Sequence, residues 1–457
     1  MGADIQGYHK LKLISMKNRI ACISEHASPL ALIGGTDSGG QNVYVAELAG
    51  QLADKGYQID VFTRWEDASL PQIVHYRAGI RVIHIKAGPI AMLPKEELLF
   101  HMDEFSSNMA DFLQSVSFKY QLIHANFFMS GLVAMGLKKQ FNIPFVITFH
   151  ALGHVRKLHQ KEQDKFPAGR IAIEEQIVKK ADAIIAECPQ DREDLIVHYK
   201  ASPSKISIIP CGFNPQEFFP ISKQEAKAVL NFDQDERLVL QLGRMVPRKG
   251  IDNVIKAVAR IKAKERKIRL VIVGGPDDVP QFESGSELAR LKQLTMNLGI
   301  EMMVTFEGRR NREMLKYYYS AADVFVTTPW YEPFGITPLE AMACGTPVIG
   351  ADVGGIKYSV AEGKTGFLVP PNAPSELADR LTLLFDHETL LQQLGKNALD
   401  HVQNFTWNKV AEQVHGLYKT VMSKKTSEEK DSTSVENLFL PLPHVNIKRS
   451  TPAKYGS

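Results

Sequence analysis

Trp330-Tyr331-Glu332-Pro333-Phe334-Gly335-Ile336-Thr337-Pro338-Leu339-Glu340-Ala341-Met342-Ala343-Cys344-Gly345 places two carboxylates eight positions apart across a loop that opens a helix. Pro338 brings a fixed φ near the helical value and has no N–H to lose, which predicts the first helical turn. The amides of Gly335, Ile336 and Thr337 then point out of the helix start, a seat for phosphate or sugar oxygens. Glu332, in the loop, can accept hydrogen bonds from sugar hydroxyls. Glu340, near the end of the first turn, can grip both hydroxyls of a ribose. Two glutamates on a capped amphipathic helix would be ordinary surface chemistry. The Pro-Phe-Gly turn around Phe334 and the small-residue exit Ala343-Cys344-Gly345 favour a nucleotide-activated sugar instead.

At 457 residues the chain is too long for one core and fits two domains with a tail. Its 44% hydrophobic and 23% charged content is that of a globular enzyme, and 54 basic against 51 acidic residues give no reason to invoke nucleic acid. No apolar run approaches the ~20 residues needed to span a bilayer. The first fifteen residues lack the long apolar stretch and cleavage site of a signal peptide, and Met16 stands as a candidate initiator. Cys22, Cys188, Cys211 and Cys344 show no C-x-x-C spacing, so a reducing cytoplasm and buried free thiols are expected.

Short apolar runs alternate with helix-length intervals, the pattern of parallel α/β sheets. The first series places strands at 19–24, 58–63, 81–86, 122–125, 145–149, 183–186 and 206–209. Pro210-Cys211-Gly212-Phe213-Asn214-Pro215 reads as an interdomain hinge. A second series follows at 238–242, 270–273, 304–306, 324–327, 347–350 and 366–369. The predicted domains are 17–212 and 213–404, with a helix over 405–422 and an unordered polar tail over 423–457. Two such units imply a cleft, with ligands at the carboxyl ends of the strands.

Three further motifs fall at such ends. Gly243-Arg244-Met245-Val246-Pro247-Arg248-Lys249-Gly250 offers a planar fork at Arg244 and a mobile point charge at Lys249. Two fixed cations there would stabilise a departing diphosphate. Gly34-Gly35-Thr36-Asp37-Ser38-Gly39-Gly40-Gln41-Asn42 lies between a strand and a helix and is not G-x-G-x-x-G. Its paired glycines let backbone approach a ligand closely. His150 ends a strand in Thr148-Phe149-His150-Ala151-Leu152-Gly153; with His154 and His159 nearby it makes a poor zinc site, and no metal is expected.

The Glu332/Glu340 segment resembles the E-x7-E signature of retaining glycosyltransferases of family 4, from about Arg19 to about Met422. The resemblance implies the GT-B fold, two Rossmann-like domains facing a central cleft, with the last helix bracing the first domain. It assigns Arg244 and Lys249 to the donor phosphates and Glu332, Phe334, Gly335, Ile336, Thr337 and Glu340 to the donor. The block ending Gly39-Gly40, with Val43-Tyr44-Val45-Ala46-Glu47 after it, is similar to the sucrose-phosphate synthase and inositol-phosphate glycosyltransferase branch, where this loop lies against donor and acceptor. There the counterpart of His150 contacts the donor sugar, and Lys95 and Arg170 fall where an acceptor phosphate is gripped. Phe127 stands where the inositol-phosphate enzymes carry tyrosine, and Ala151 where they carry threonine, so two hydroxyl contacts are missing.

The expectation is a retaining hexosyltransferase using a UDP-sugar, with no further cofactor, on a small anionic acceptor near Gly40, Lys95, Phe127, His150 and Arg170. The proposed catalytic set is His150, Arg244, Lys249 and Glu332. A lipid or glycan acceptor at a membrane surface, with peripheral contact through 138–139 and 156–165, stays open. So do a phosphorylase or epimerase on the same fold, a non-catalytic nucleotide-sugar-binding protein and a dinucleotide-dependent dehydrogenase, as do monomer and homodimer.

Overall fold

The computed structural model describes residues 18–31, 39–261, 267–275 and 286–436. Runs such as Ile20-Ala21-Cys22-Ile23 and Leu238-Val239-Leu240 are buried on every side chain. Parallel strands covered by helices on both faces require this. In the first domain β1 (Arg19–Ile23), β2 (Gln58–Arg64), β3 (Ile73–Arg77), β4 (Ile80–Ile85), β5 (Leu122–Asn126), β6 (Phe145–Thr148), β7 (Ala183–Ala186) and β8 (Ile206–Ile208) form one sheet. Its order is β3-β4-β2-β1-β5-β6-β7-β8. In the second, β9 (Arg237–Leu242), β10 (Ile268–Val273), β11 (Val304–Gly308), β12 (Val324–Thr327), β13 (Val348–Ala351) and β14 (Gly366–Val369) follow the order β11-β10-β9-β12-β13-β14. The first sheet's β3 runs antiparallel to β4 and escaped the sequence reading: as a half-exposed edge with His75, Tyr76 and Arg77, it lacks an apolar run.

Each sheet reverses its winding once, between β1 and β5 and between β9 and β12, and ligands of such sheets bind in the crevice beside that reversal. The Gly39-Gly40 turn follows β1 and Phe127 follows β5. The 243–250 loop follows β9, and Glu332 and Glu340 follow β12. These residues therefore cluster at two crevices that face each other.

The chain crosses between domains twice, and the crossings are tied together. Phe213 N donates to Phe405 O at 2.9 Å, and Trp407 N returns a bond to Phe213 O at 3.2 Å. A Cβ on Gly212 would lie 2.8 Å from Trp407 N, so only glycine lets them meet. The final helix, Trp407–Glu436, then packs on the first-domain helix Gly40–Asp54. Trp407 meets Tyr44 edge-on at 5.7 Å, and the Tyr57 hydroxyl lies 2.8 Å from His415 Nδ1. The helix runs on through 423–436, where unordered chain was expected; its lysines and glutamates are good helix formers, and polarity alone did not exclude a helix. The rest of the expected tail, 437–457, lies outside the described residues, as do Gly34 to Ser38.

His124 couples this brace to the sheet. Its Nδ1 lies 2.7 Å from the Tyr418 hydroxyl and its Nε2 2.9 Å from Thr148 Oγ1. Burial lowers its pKa from 6.5 to about 3, so the native imidazole stays neutral while the unfolded one takes a proton. This contribution is complete above pH 6.5 and is lost as pH falls toward 3. We predict that the urea midpoint drops less between pH 7 and 4.5 in His124→Gln than in the unaltered protein, each relative to its own value at pH 7. Parallel drops would show that another group sets the acid sensitivity.

Candidate active site

The loop after β9 closes on a glycine where a side chain would clash. Gly250 has φ +67°, and a Cβ there would lie 2.1 Å from Thr328 O in the loop after β12. Trp330 N donates to Arg248 O at 2.9 Å, lacing the two loops together. Lys249 ends a single 3₁₀ turn and donates Nζ to Glu332 Oε2, while Arg248 Nη1 stands 3.8 Å from the same oxygen. Burial pushes the Glu332 pKa up, but Lys249, Arg248 and Arg244 hold it below the ordinary glutamate value. Burial likewise lowers the Lys249 pKa against the pull of Glu332. Glu332 is thus a fixed anion, able to accept from hydroxyls and unsuited to donate a proton. Arg244, Arg248 and Lys249 all act on this carboxylate, a gathering of cations suited to a diphosphate.

The opposite wall comes close. A Cβ on Gly39 would sit 3.7 Å from Arg244 Nε, and one on Gly40 would sit 3.9 Å from Ile336 Cδ1. Gly40 opens the helix Gly40–Asp54 and Ile336 precedes the helix Thr337–Ala343, so two helix starts, each electropositive, face one another. Pro338 occupies the first turn of the latter, as its sequence implies. Farther along the seam, Cys188 Sγ donates to Pro333 O at 3.3 Å and His159 stacks on Tyr331 at 5.1 Å. A cavity of about 230 Å³ lies there between the domains, lined by Ala151, Leu152, Asp191, Trp330, Glu332 and Gly354.

His150 follows β6 with φ +57°, a left-handed conformation that costs a non-glycine residue about 1 kcal/mol. Its ring is fixed at both nitrogens: Nδ1 lies 3.1 Å from Glu187 Oε1 and Nε2 3.0 Å from Asn126 Oδ1. Tyr44 meets it edge-on at 4.7 Å. Phe127, with φ +81°, is likewise a non-glycine residue in a left-handed region. Strain of this kind persists where the surroundings over-determine it, commonly at ligand sites.

The residues expected to hold an acceptor are placed unevenly. Arg170 is buried: Nε donates to Glu174 Oε1 at 2.7 Å and Nη2 to Ala151 O. Its guanidinium lies 4.8, 4.6 and 4.6 Å from the Phe127, Phe128 and Phe166 rings. It forms the floor beneath Phe127 rather than an exposed clamp, and its buried Nη1 meets no acceptor among the described residues. Lys95 begins the 3₁₀ segment Lys95–His101 and stands 3.6 Å from Glu96. Glu340 is buried, with Arg312 Nη1 at 3.0 Å on one oxygen and the Tyr319 hydroxyl at 2.9 Å on the other.

Several contributors were missed in sequence. Arg248 lay inside the 243–250 motif but was given no role, whereas Asn126, Glu187, Arg312 and Tyr319 sit far from their partners along the chain and left no local signal. Gly354 and Gly355 did leave one, a glycine pair after a strand. A Cβ on Gly354 would lie 1.9 Å from Glu332 O, and one on Gly355 2.2 Å from Phe334 Cα. The Glu332 loop rests on this bare backbone. Among the described residues no cluster of His, Cys, Asp and Glu is arranged to hold a metal, and no helix is long and apolar enough to cross a membrane.

Residues 38–217 match the Glycosyltransferase Family 4 domain, and residues 222–401 match Glycosyl transferases group 1. A D-inositol 3-phosphate glycosyltransferase of Corynebacterium diphtheriae is 35% identical over 409 residues, covering 88% of this chain and 95% of the relative. The chain is a family 4 glycosyltransferase. Among solved structures, a sucrose-phosphate synthase from Thermosynechococcus elongatus superposes with a TM-score of 0.82 at 37% identity, over 89% of this glycosyltransferase and all of that chain. Anabaena HepE, solved with UDP and glucose, shares the fold at a TM-score of 0.71 and 20% identity, over 88% of this chain and 100% of its own. The architecture is accordingly GT-B.

Because Gly355 carries the Phe334 backbone, Gly355→Ala is predicted to destabilise this glycosyltransferase by about 2–3 kcal/mol in chemical denaturation, through overpacking against main chain. An unchanged midpoint would show that the Glu332 loop is supported elsewhere.

Proposed function

We propose that this enzyme moves a hexose, glucose or N-acetylglucosamine, from a UDP-sugar to a small phosphorylated acceptor with retention of anomeric configuration. The observation that carries the reading is the gathering of cations at the β9/β12 crevice, where Arg244, Arg248 and Lys249 all act on Glu332. A diphosphate becomes more negative as it departs, so these cations act most strongly in the transition state.

In this reading Lys249 and Arg244 take the donor phosphates, aided by the 335–337 backbone, and Glu332 accepts from the sugar hydroxyls as Lys249 turns to phosphate. Glu340 takes the ribose, Phe334 shapes the turn behind the sugar, and His150, steadied by Asn126 and Glu187, contacts the sugar from the first domain. Gly39 and Gly40 let the first-domain backbone approach the donor. Glu332, held ionised, is no general acid, so the departing diphosphate is assigned the acceptor's proton in a same-face substitution. Closing the domains around the donor excludes water and limits hydrolysis.

The acceptor lies toward Gly40, Lys95 and Phe127. Names of the relatives, an inositol-phosphate glycosyltransferase and a sucrose-phosphate synthase, support a phosphorylated acceptor. Phe127 and Ala151 offer no side-chain hydroxyl, which argues against inositol phosphate and leaves a sugar phosphate favoured. Arg170 acts indirectly, by fixing Phe127 and the Ala151 carbonyl.

Nucleotide diphosphate release is the test, from UDP-glucose, UDP-N-acetylglucosamine, GDP-mannose and ADP-glucose, each with fructose 6-phosphate, inositol phosphate or a phosphate-free sugar. Release from a UDP-sugar that rises strongly with one phosphorylated acceptor is expected, with kcat/KM reduced about 10²–10³-fold in Arg244→Ala and Lys249→Ala. Near-unchanged variants would remove the phosphate assignment, and acceptor-independent hydrolysis would redirect the acceptor search to lipids and glycans.

A further inference from the structure

A second charged cluster runs from the donor domain into the first domain, away from the phosphate-facing loop. Arg312, on the helix Arg312–Ala321, donates Nη1 to Glu340 at 3.0 Å and Nε to Glu217, its guanidinium 4.8 Å from the Phe218 ring centre. Asn214 Nδ2, in the interdomain linker, lies 3.4 Å from Glu217 Oε1 and 3.5 Å from Glu47 Oε1. Glu47 belongs to the helix Gly40–Asp54, whose first residue faces Ile336 across the cleft. One guanidinium thus joins Glu340 to Glu217, and the Asn214 amide carries the network on to Glu47 of the first domain. Its Nη2 is buried and, among the described residues, meets no acceptor. Burial and the Glu217 carboxylate push the Glu47 pKa up to about 7, with Arg312 pulling the other way.

We propose that Arg312 is a positioning residue for the donor's ribose and transmits donor binding to Glu47 in the first domain, releasing a proton from Glu47 to solvent. This rests on the assignment of Glu340 to the ribose. A ribose diol donating to Glu340 draws on the same oxygens that accept from Arg312 and Tyr319. The guanidinium then leans on Glu217, and the Asn214 amide shared between Glu217 and Glu47 is freed to turn to an ionised Glu47. Glu217 and Glu340 oppose that ionisation, while Arg312 and the hydrogen bond from Asn214 favour it. Tyr76 on β3 also senses Glu47, and Arg77 beside it is paired with Asp54 at 2.8 Å. On the bracing helix, Glu412 faces Lys55 at 3.5 Å and His415 faces Tyr57, beyond the far end of the Glu47 helix. Because the linkage is reciprocal, the donor binds more tightly as pH rises through about 7.

Calorimetric titration of UDP-glucose into the full chain at pH 7, in two buffers of different ionisation enthalpy, counts the protons released; UDP-glucose itself has no group titrating near neutrality. A sizeable fraction of a proton per donor is expected from the unaltered protein. Glu47→Gln is expected to release none, and a 2′,3′-dideoxyribose donor is expected to release none from the unaltered protein. Arg312→Lys keeps the charge and loses the fork, and should reduce the preference for ribose over dideoxyribose about tenfold. Equal release from the unaltered protein and Glu47→Gln, or none from either, overturns the coupling even if Arg312→Lys does not fold. Absence of UDP-glucose binding is a failure of the donor reading, visible before any proton is counted, and takes the proposal with it.

Discussion

A parallel sheet delivers all of its strands' carboxyl ends to one edge, and everything chemical in this protein depends on that constraint. In each domain the winding reverses once, and the loops on either side of the reversal diverge to leave a crevice. Setting two such edges face to face brings together residues that are distant along the chain. Arg244 and Gly39, some two hundred positions apart, become neighbours without either loop needing an unusual length.

Within that frame the site is held by opposing charges more than by packing. Glu332 alone would be a poorly tolerated buried anion, and Lys249 alone a poorly tolerated buried cation; each makes the other's burial bearable. In the proposed reading a donor trades partners inside this preorganised field instead of creating one. Glu340 follows the same logic with Arg312 and Tyr319, in a drier part of the cleft.

Much of this was legible in the chain. Buried parallel strands are written as apolar runs, which is why β1, β5, β9 and β12 could be located; the polar edge β3 carries no such run. Pro338 marked its helix start because proline has one comfortable place there. Arg170 misled, because a cation opposite an expected anion looks the same in sequence whether it faces solvent or lies under three phenyl rings. The partners of His150 and Glu340 were invisible for a different reason. Asn126, Glu187 and Arg312 reach them only through the topology, and no spacing rule encodes a contact made across a sheet or between helices.

The paired crossings at Gly212–Phe213 and Phe405–Trp407 limit how the halves can move. A single covalent link would let one body swivel freely around the other. Two links, hydrogen-bonded side by side, resist swivelling and sliding but yield to bending about the line that joins them. Motion between the domains is thereby reduced toward one angular coordinate, with the cleft residues on matching arcs. Opening and reclosing along such an arc returns Arg244 to Gly39, and Ile336 to Gly40, without a search through other orientations.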